Sequence, residues 1–87
     1  MKIKEGYILK EVAKQYIVVP VGDEAINFNG ILTLNKSAKY LFEALLDDKT
    51  VAELVLLLTH KYEINEDKAR QDVLEFIHIL ESKNILI

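Results

Sequence analysis

Residues 25–38, AINFNGILTLNKSA, carry a strand pattern that runs straight into a helix cap, and this junction divides the chain into halves of different periodicity. Ahead of Asn35, the branched and aromatic residues Ile26, Phe28, Ile31, Thr33 and Leu34 favour extended backbone. Beyond it, apolar residues recur at helical spacing. A chain built this way places a strand beside the helices that follow. If that strand lies at the edge of its sheet, it offers a row of unpaired backbone donors and acceptors.

The first half reads as three strands. Residues 7–12, YILKEV, lead through Ala13-Lys14 as a short turn into residues 15–20, QYIVVP. Gly22-Asp23 supplies residues that tolerate positive φ, Pro20 marks the end of regular ladder pairing, and the third strand is expected over residues 25–34 with a bulge or kink at Asn29-Gly30. Two successive hairpins imply a meander whose first and third strands are the edges.

The second half reads as three helices, over about residues 36–47, 51–62 and 66–83. Asn35 caps the first, in which Ala38, Leu41, Phe42 and Leu45 follow the spacing of one buried face. Thr50 with Glu53 matches the capping-box pattern, and Val51, Leu54, Val55, Leu58 and Tyr62 continue on one face. Asn65 caps the last helix, whose core stripe is Ala69, Val73, Phe76, Ile77 and Leu80. Asn84 stops it, leaving Ile85-Leu86-Ile87 to fold back as an apolar tail. The fold class is therefore α+β, a three-stranded antiparallel meander followed by three helices, and it resembles a winged helix-turn-helix arrangement with the strands first. Eighty-seven residues with a hydrophobic fraction of 51% suit one domain, spanning residues 1–87, with one packed core.

Composition narrows the chemistry. The absence of cysteine removes disulfides, thiolate metal sites and thiol nucleophiles. His60 and His78 fall on different helices with no serine, metal or phosphate-loop constellation around them, so neither a catalytic role nor a cofactor is expected. Ser37 lies near a helix start, but Lys36-Ser37-Ala38 lacks the Asp-Ser-Leu signature of a carrier protein. A net charge of -3 argues against nucleic acid as a partner. Residues 65–84 repeat the message, with Lys68, Arg70 and Lys83 against Glu66, Asp67, Asp72, Glu75 and Glu81, the wrong balance for a DNA-reading helix. The longest apolar runs are five residues, against the ~20 of a membrane span, and residues 1–10 interleave charges with Ile3, Tyr7, Ile8 and Leu9, unlike a signal peptide. A cytoplasmic location without membrane association is expected.

The edges can be compared from sequence. The first strand carries Lys10, with Lys4 and Lys14 nearby, whereas residues 25–34 contain neither charge nor proline. Natural sheets guard exposed edges with lysine, proline or bulges, so the unguarded third strand suits addition of a further strand. A covering loop or a second copy of the chain is the competing occupant, and the state expected is a monomer or a weak dimer through this edge. On the last helix, Arg70, Leu74, Ile77 and Glu81 form one shoulder of the core stripe and Asp72, Ile79 and Lys83 the other. The first shoulder pairs aliphatics with one charge of each sign. It could receive an apolar side chain while Arg70 or Glu81 fixes polar groups at the rim, or it could pack internally.

The motifs GYILKEV, YIVVPVG, NGILTLN and a closing DV-x-x-F-x-x-x-L, in this order, also carry a family resemblance. Through Gly6, Tyr7, Leu9, Val12, Tyr16, Val18, Pro20, Gly22, Gly30, Leu34, Asn35, Asp72, Val73, Phe76 and Leu80 the chain resembles the PqqD-like proteins, the precursor-peptide recognition elements of ribosomal peptide natural-product pathways. One departure is Phe42, which stands where such proteins often have tryptophan in the first long helix. The resemblance implies a non-catalytic domain that captures the leader segment of a precursor peptide as an added strand on the third strand, against the last helix. It further implies presentation to a separate maturation enzyme, such as a radical SAM enzyme or a lasso-type leader peptidase. The residues expected to bind the peptide are then Asn27, Phe28, Asn29, Ile31, Leu32 and Thr33, with Arg70, Leu74, Ile77 and Glu81. The alternative is a winged-helix DNA-binding module or another protein-interaction module.

Overall fold

A computed structural model describes residues 1–27 and 31–87. Strands β1 (Tyr7–Val12) and β2 (Gln15–Pro20) form an antiparallel hairpin in which Tyr7 faces Pro20 and Val12 faces Gln15. Its turn is Ala13-Lys14, with φ of 51° and 65°. Two consecutive left-handed residues give the turn whose twist matches the strands. A short helix α1 (Glu24–Asn27) follows, then strand β3 (Leu32–Leu34), which pairs antiparallel with β2. The order across the sheet is β1-β2-β3. Helices α2 (Lys36–Ala44), α3 (Val51–Tyr62) and α4 (Glu66–Ser82) complete the α+β fold.

The third strand differs from its expectation over residues 25–34. The segment Glu24–Asn27 is a helical turn, and among the described residues pairing with β2 spans Leu32–Leu34. Two features account for this, one local and one distant in sequence. Gly22, at φ 61°, turns the chain so that the Ala25 amide bonds the Gly22 carbonyl at 3.2 Å. Glu24 is then held by its carboxylate, which accepts from the Tyr7 hydroxyl at 3.1 Å, and by close approach to Gly6, where an added Cβ would meet Glu24 Cγ at 2.6 Å. Burial and this bond together raise the Tyr7 hydroxyl above its ordinary pKa. The expected bulge at Asn29-Gly30, and Phe28 with it, lie outside the described residues.

Each long helix begins at a side-chain cap. Asn35 Oδ1 accepts from the Ala38 amide at 2.8 Å, and Asn65 Oδ1 from the Lys68 amide at 2.8 Å. Thr50 and Glu53 form a reciprocal capping box, at 3.1 and 2.9 Å. The core joins Val18 and Leu34 from the sheet to Leu41, Phe42, Leu54, Leu58, Val73 and Leu80 from the helices, and Phe42 is 1% exposed at its centre. Asn84 leaves α4 with φ 58°, after which Ile85 is buried and Leu86 pairs with Ile3 in an antiparallel bridge. This return pins the end of α4 beside the start of the chain.

Candidate functional site

The ladder decides which backbone groups of β3 are free. Beyond the Tyr7 and Pro20 pair, the Val21 amide donates to the Gly6 carbonyl at 2.8 Å. Antiparallel residues alternate between pairs that exchange hydrogen bonds and pairs that do not. Counting back from that bond, Gln15, Ile17 and Val19 direct their backbone groups to β1, and Tyr16 and Val18 direct theirs to β3. Opposite Tyr16 and Val18 stand Leu34 and Leu32, which therefore bond inward. Thr33 sits between them, and its N–H and C=O point to the open side of the sheet. Pro20 is next on the β3 side of β2 and has no N–H to offer a longer ladder.

Side chains alternate as well. Leu32 and Leu34 turn to the helical layer, Leu34 buried and Leu32 half-buried, whereas Thr33 is exposed on the opposite face. Ile31, just ahead of the strand, is 57% exposed. Between Ile31 and Leu34 there is no charge to deter a further strand.

The C-terminal end of β3 delivers the chain through Asn35 into a cleft between α2 and α4, of about 280 Å³. Leu41 and Phe76, both buried, form its floor. Asn35, Ser37 and Ala38 line one wall and Asp72, Glu75 and Ile79 the other. Lys68 closes the rim through an ion pair with Asp72 at 3.0 Å, a bond that raises the lysine above its ordinary pKa. Glu75 and Ile79 also border a shallow apolar surface with Leu74 and His78, so the cleft continues onto the outer face of α4. Leu74 and Ile79 are 49% and 41% exposed there.

The four α4 residues singled out from sequence are not brought together. Arg70 faces α3, where it borders a hollow with Leu56 and Ile64 and pairs with Glu66 at 3.4 Å. Ile77 is buried in the core, and Glu81 is exposed on the last turn of α4. Only Leu74 adjoins the cleft, through the outer surface. The shoulder that lines it holds Asp72 and Ile79 instead, joined by Glu75 and Lys68. Of the strand residues, Ile31, Leu32 and Thr33 lie on the edge segment. Asn27 ends α1, and Phe28 and Asn29 lie outside the described residues. Among the described residues no group of histidines and carboxylates could hold a metal, and no helix is long and apolar enough to cross a membrane. His60 and His78 are exposed on α3 and α4.

Comparison with known proteins places this architecture. A family model described as coenzyme PQQ synthesis protein D (PqqD) matches residues 15–86. The structure of TbiB1 in complex with the TbiA(beta) leader peptide superposes with a TM-score of 0.77 at 16% identity, covering 99% of this chain and 94% of that one. A lasso peptide synthetase B1 complexed with the leader peptide superposes with a TM-score of 0.73 at 18% identity, covering 97% and 93%. At such identities the likeness is one of fold. No curated protein matches the sequence.

Proposed function

The chain belongs to the PqqD family, and from that membership we propose that it binds the leader segment of a ribosomally made precursor peptide by strand addition to β3 and presents it to a separate maturation enzyme. The observation that carries the proposal is the outward-facing N–H and C=O of Thr33 on an uncharged edge beside an apolar-floored cleft. Main-chain pairing supplies affinity in this mode, and pockets for alternate side chains supply selectivity. The solved relatives, each in complex with a leader peptide, support the same reading.

The register specifies how such a peptide lies. An antiparallel partner of β3 runs from the Asn35 end towards Ile31, so its N-terminal part lies nearest the cleft. The residue opposite Thr33 exchanges two hydrogen bonds with it and turns its side chain to the outer face. The residues on either side turn theirs to the helical layer, one beside Leu34 and one beside Leu32. Two apolar residues separated by one position therefore match this edge. Ile31, Leu32 and Thr33 are the binding residues on the strand side, with Leu74 and Ile79 on the helix side. Arg70, Ile77 and Glu81 are left to structure and surface.

No step of chemistry is assigned to this chain. Its role is to hold a peptide in extended form, in the cytoplasm where ribosomal precursors are made, while another protein performs the reaction. The test is amide hydrogen exchange with and without the leader segment of a precursor encoded beside the gene. Thr33 gains protection on binding, whereas Leu32 and Leu34, already bonded to β2, change little. Protection gained instead along Tyr7–Val12 overturns the assignment of the edge.

A further inference from the structure

α2 borders a second hollow with its other face. Ser37, Ala38 and Leu41 line the cleft, and Lys36, Lys39, Tyr40 and Glu43 form the stripe on the other side of the helix, over a separate hollow of about 180 Å³. Tyr16 of β2 and Lys61 and Tyr62 of α3 complete it. Three lysines and three tyrosines thus converge around a single carboxylate, in a chain whose net charge is -3.

Two of these lysines lie over rings, and one of the two, Lys39, also pairs with a carboxylate. Lys39 Nζ lies 4.9 Å from the centre of the Tyr16 ring, and Lys61 Nζ lies 5.5 Å from that of Tyr40. Tyr40 in turn meets Tyr62 edge to face, with centroids 6.3 Å apart and planes at 87°. Glu43 reaches only Lys39, at 3.7 Å. On α4, Lys68 and Arg70 are each paired with a carboxylate one turn away, as Lys39 is here, so the cations of this face without an ion pair among the described residues are Lys36 and Lys61. Cation–π contact attracts a lysine without neutralising it, so the positive charge of this face remains available to a partner.

We propose that this basic, tyrosine-lined face is a docking surface for a carboxylate-rich segment of the maturation enzyme, occupied at the same time as the peptide edge. The identity of the partner rests on the leader-presenting role argued above; the charge and placement of the face do not. Charge complementarity selects the occupant, because a segment bearing Asp or Glu supplies the counter-ions that Lys36 and Lys61 lack among the described residues. α2 separates the two surfaces, so one protein can hold the leader and the enzyme together.

The probes are hexaglutamate and its neutral counterpart hexaglutamine, titrated into the isotope-labelled full chain and followed by amide chemical shifts. Hexaglutamate should shift Lys39, Tyr40, Lys61 and Tyr62, lose affinity steeply with salt, and bind equally with leader present. Hexaglutamine should do none of this. Lys39→Gln with Lys61→Gln, which keeps the apolar stems, should weaken hexaglutamate by about tenfold. Lys36→Gln, on an exposed lysine outside the ring contacts, should weaken it by a smaller factor and guards against misfolding of the double variant. Shifts confined to Lys2, Lys4 and Lys10, or undiminished affinity in the variants, overturn the proposal. So does displacement by leader, or tighter binding of a single-stranded oligonucleotide to the same residues. Failure of the leader reading shows separately, as an unprotected Thr33 amide.

Discussion

The two edges of this sheet differ in almost every property that governs strand addition. β1 is six residues long, paired along its whole length with β2, and carries Lys10 and Glu11. β3 is three residues long and uncharged, and it leads directly into the wall of a cleft. Length alone would favour β1 as a template. If β3 is the receptive edge, as proposed, the contrast teaches that such an edge is defined by missing guards and by an adjacent surface for side chains, since backbone pairing over so few residues needs apolar anchors to hold.

The sharpest way to break the comparison is to delete one outward donor on each edge. Thr33→Pro removes the N–H that faces a bound peptide and should weaken leader binding by roughly tenfold or more, with the helices still folded by circular dichroism. Glu11→Pro is the matching change on β1. Glu11 faces Tyr16 in a pair that exchanges no hydrogen bonds, so its N–H also points to open solvent, and binding should be unchanged. Leu32→Pro, by contrast, removes a bond to β2 and should lower the melting temperature itself. Equal loss from Thr33→Pro and Glu11→Pro would mean that the edges are not distinguished.

A smaller effect is expected from the anchoring surface. Ile79→Ala trims an exposed aliphatic at the cleft wall and should cost about 1 kcal/mol of binding, roughly fivefold, with little change in stability. Leu74→Ala, further out on the same surface, should cost less. Arg70→Ala should leave binding where it is, since that side chain lies towards α3. Isothermal titration of the three variants orders them. If Arg70→Ala proves the most damaging, the peptide lies on the α3 side of α4.

Self-association offers a milder probe of the same edge. Two copies joined through β3 would use the groups that a leader needs, so any dimer seen by sedimentation at high concentration should dissociate as leader is added. A dimer that persists at saturating leader is built elsewhere.

Much of this architecture was readable from residues because its signals are local. Asn35, Thr50 with Glu53, and Asn65 announce helix starts through short-range bonds that a sequence shows directly. The Ala13-Lys14 turn was inferable from spacing alone. The helical turn at Glu24–Asn27 was not, because Ile26 and Phe28 have strand propensity and the competing constraints, Tyr7 and Gly6, are distant in sequence. On α4 the helical wheel defines two shoulders, but only packing against α2 and α3 decides that Ile79 borders the cleft and Arg70 the hollow beside α3.

The smallest expected effect separates stability from binding. The Glu53 carboxylate accepts the Thr50 amide at the start of α3, and that backbone bond, with the Thr50 side chain next, holds its pKa below the ordinary glutamate value. A carboxyl depressed on folding contributes stability that is present above its unfolded pKa and is lost as pH falls through the folded one. Acidification below the ordinary glutamate range should therefore lower the melting temperature of the parent protein more than that of Glu53→Gln, whose amide oxygen accepts the same bond without titrating. The edge proposed for the peptide lies on β3, and Glu53 does not line the cleft beside it. Leader affinity measured along the same pH series, on chains still folded, should then track charges on the peptide and on the cleft-wall carboxylates Asp72 and Glu75, and not the state of the Glu53 box; affinity that differs between parent and Glu53→Gln at low pH would show that the cap of α3 is coupled to the cleft.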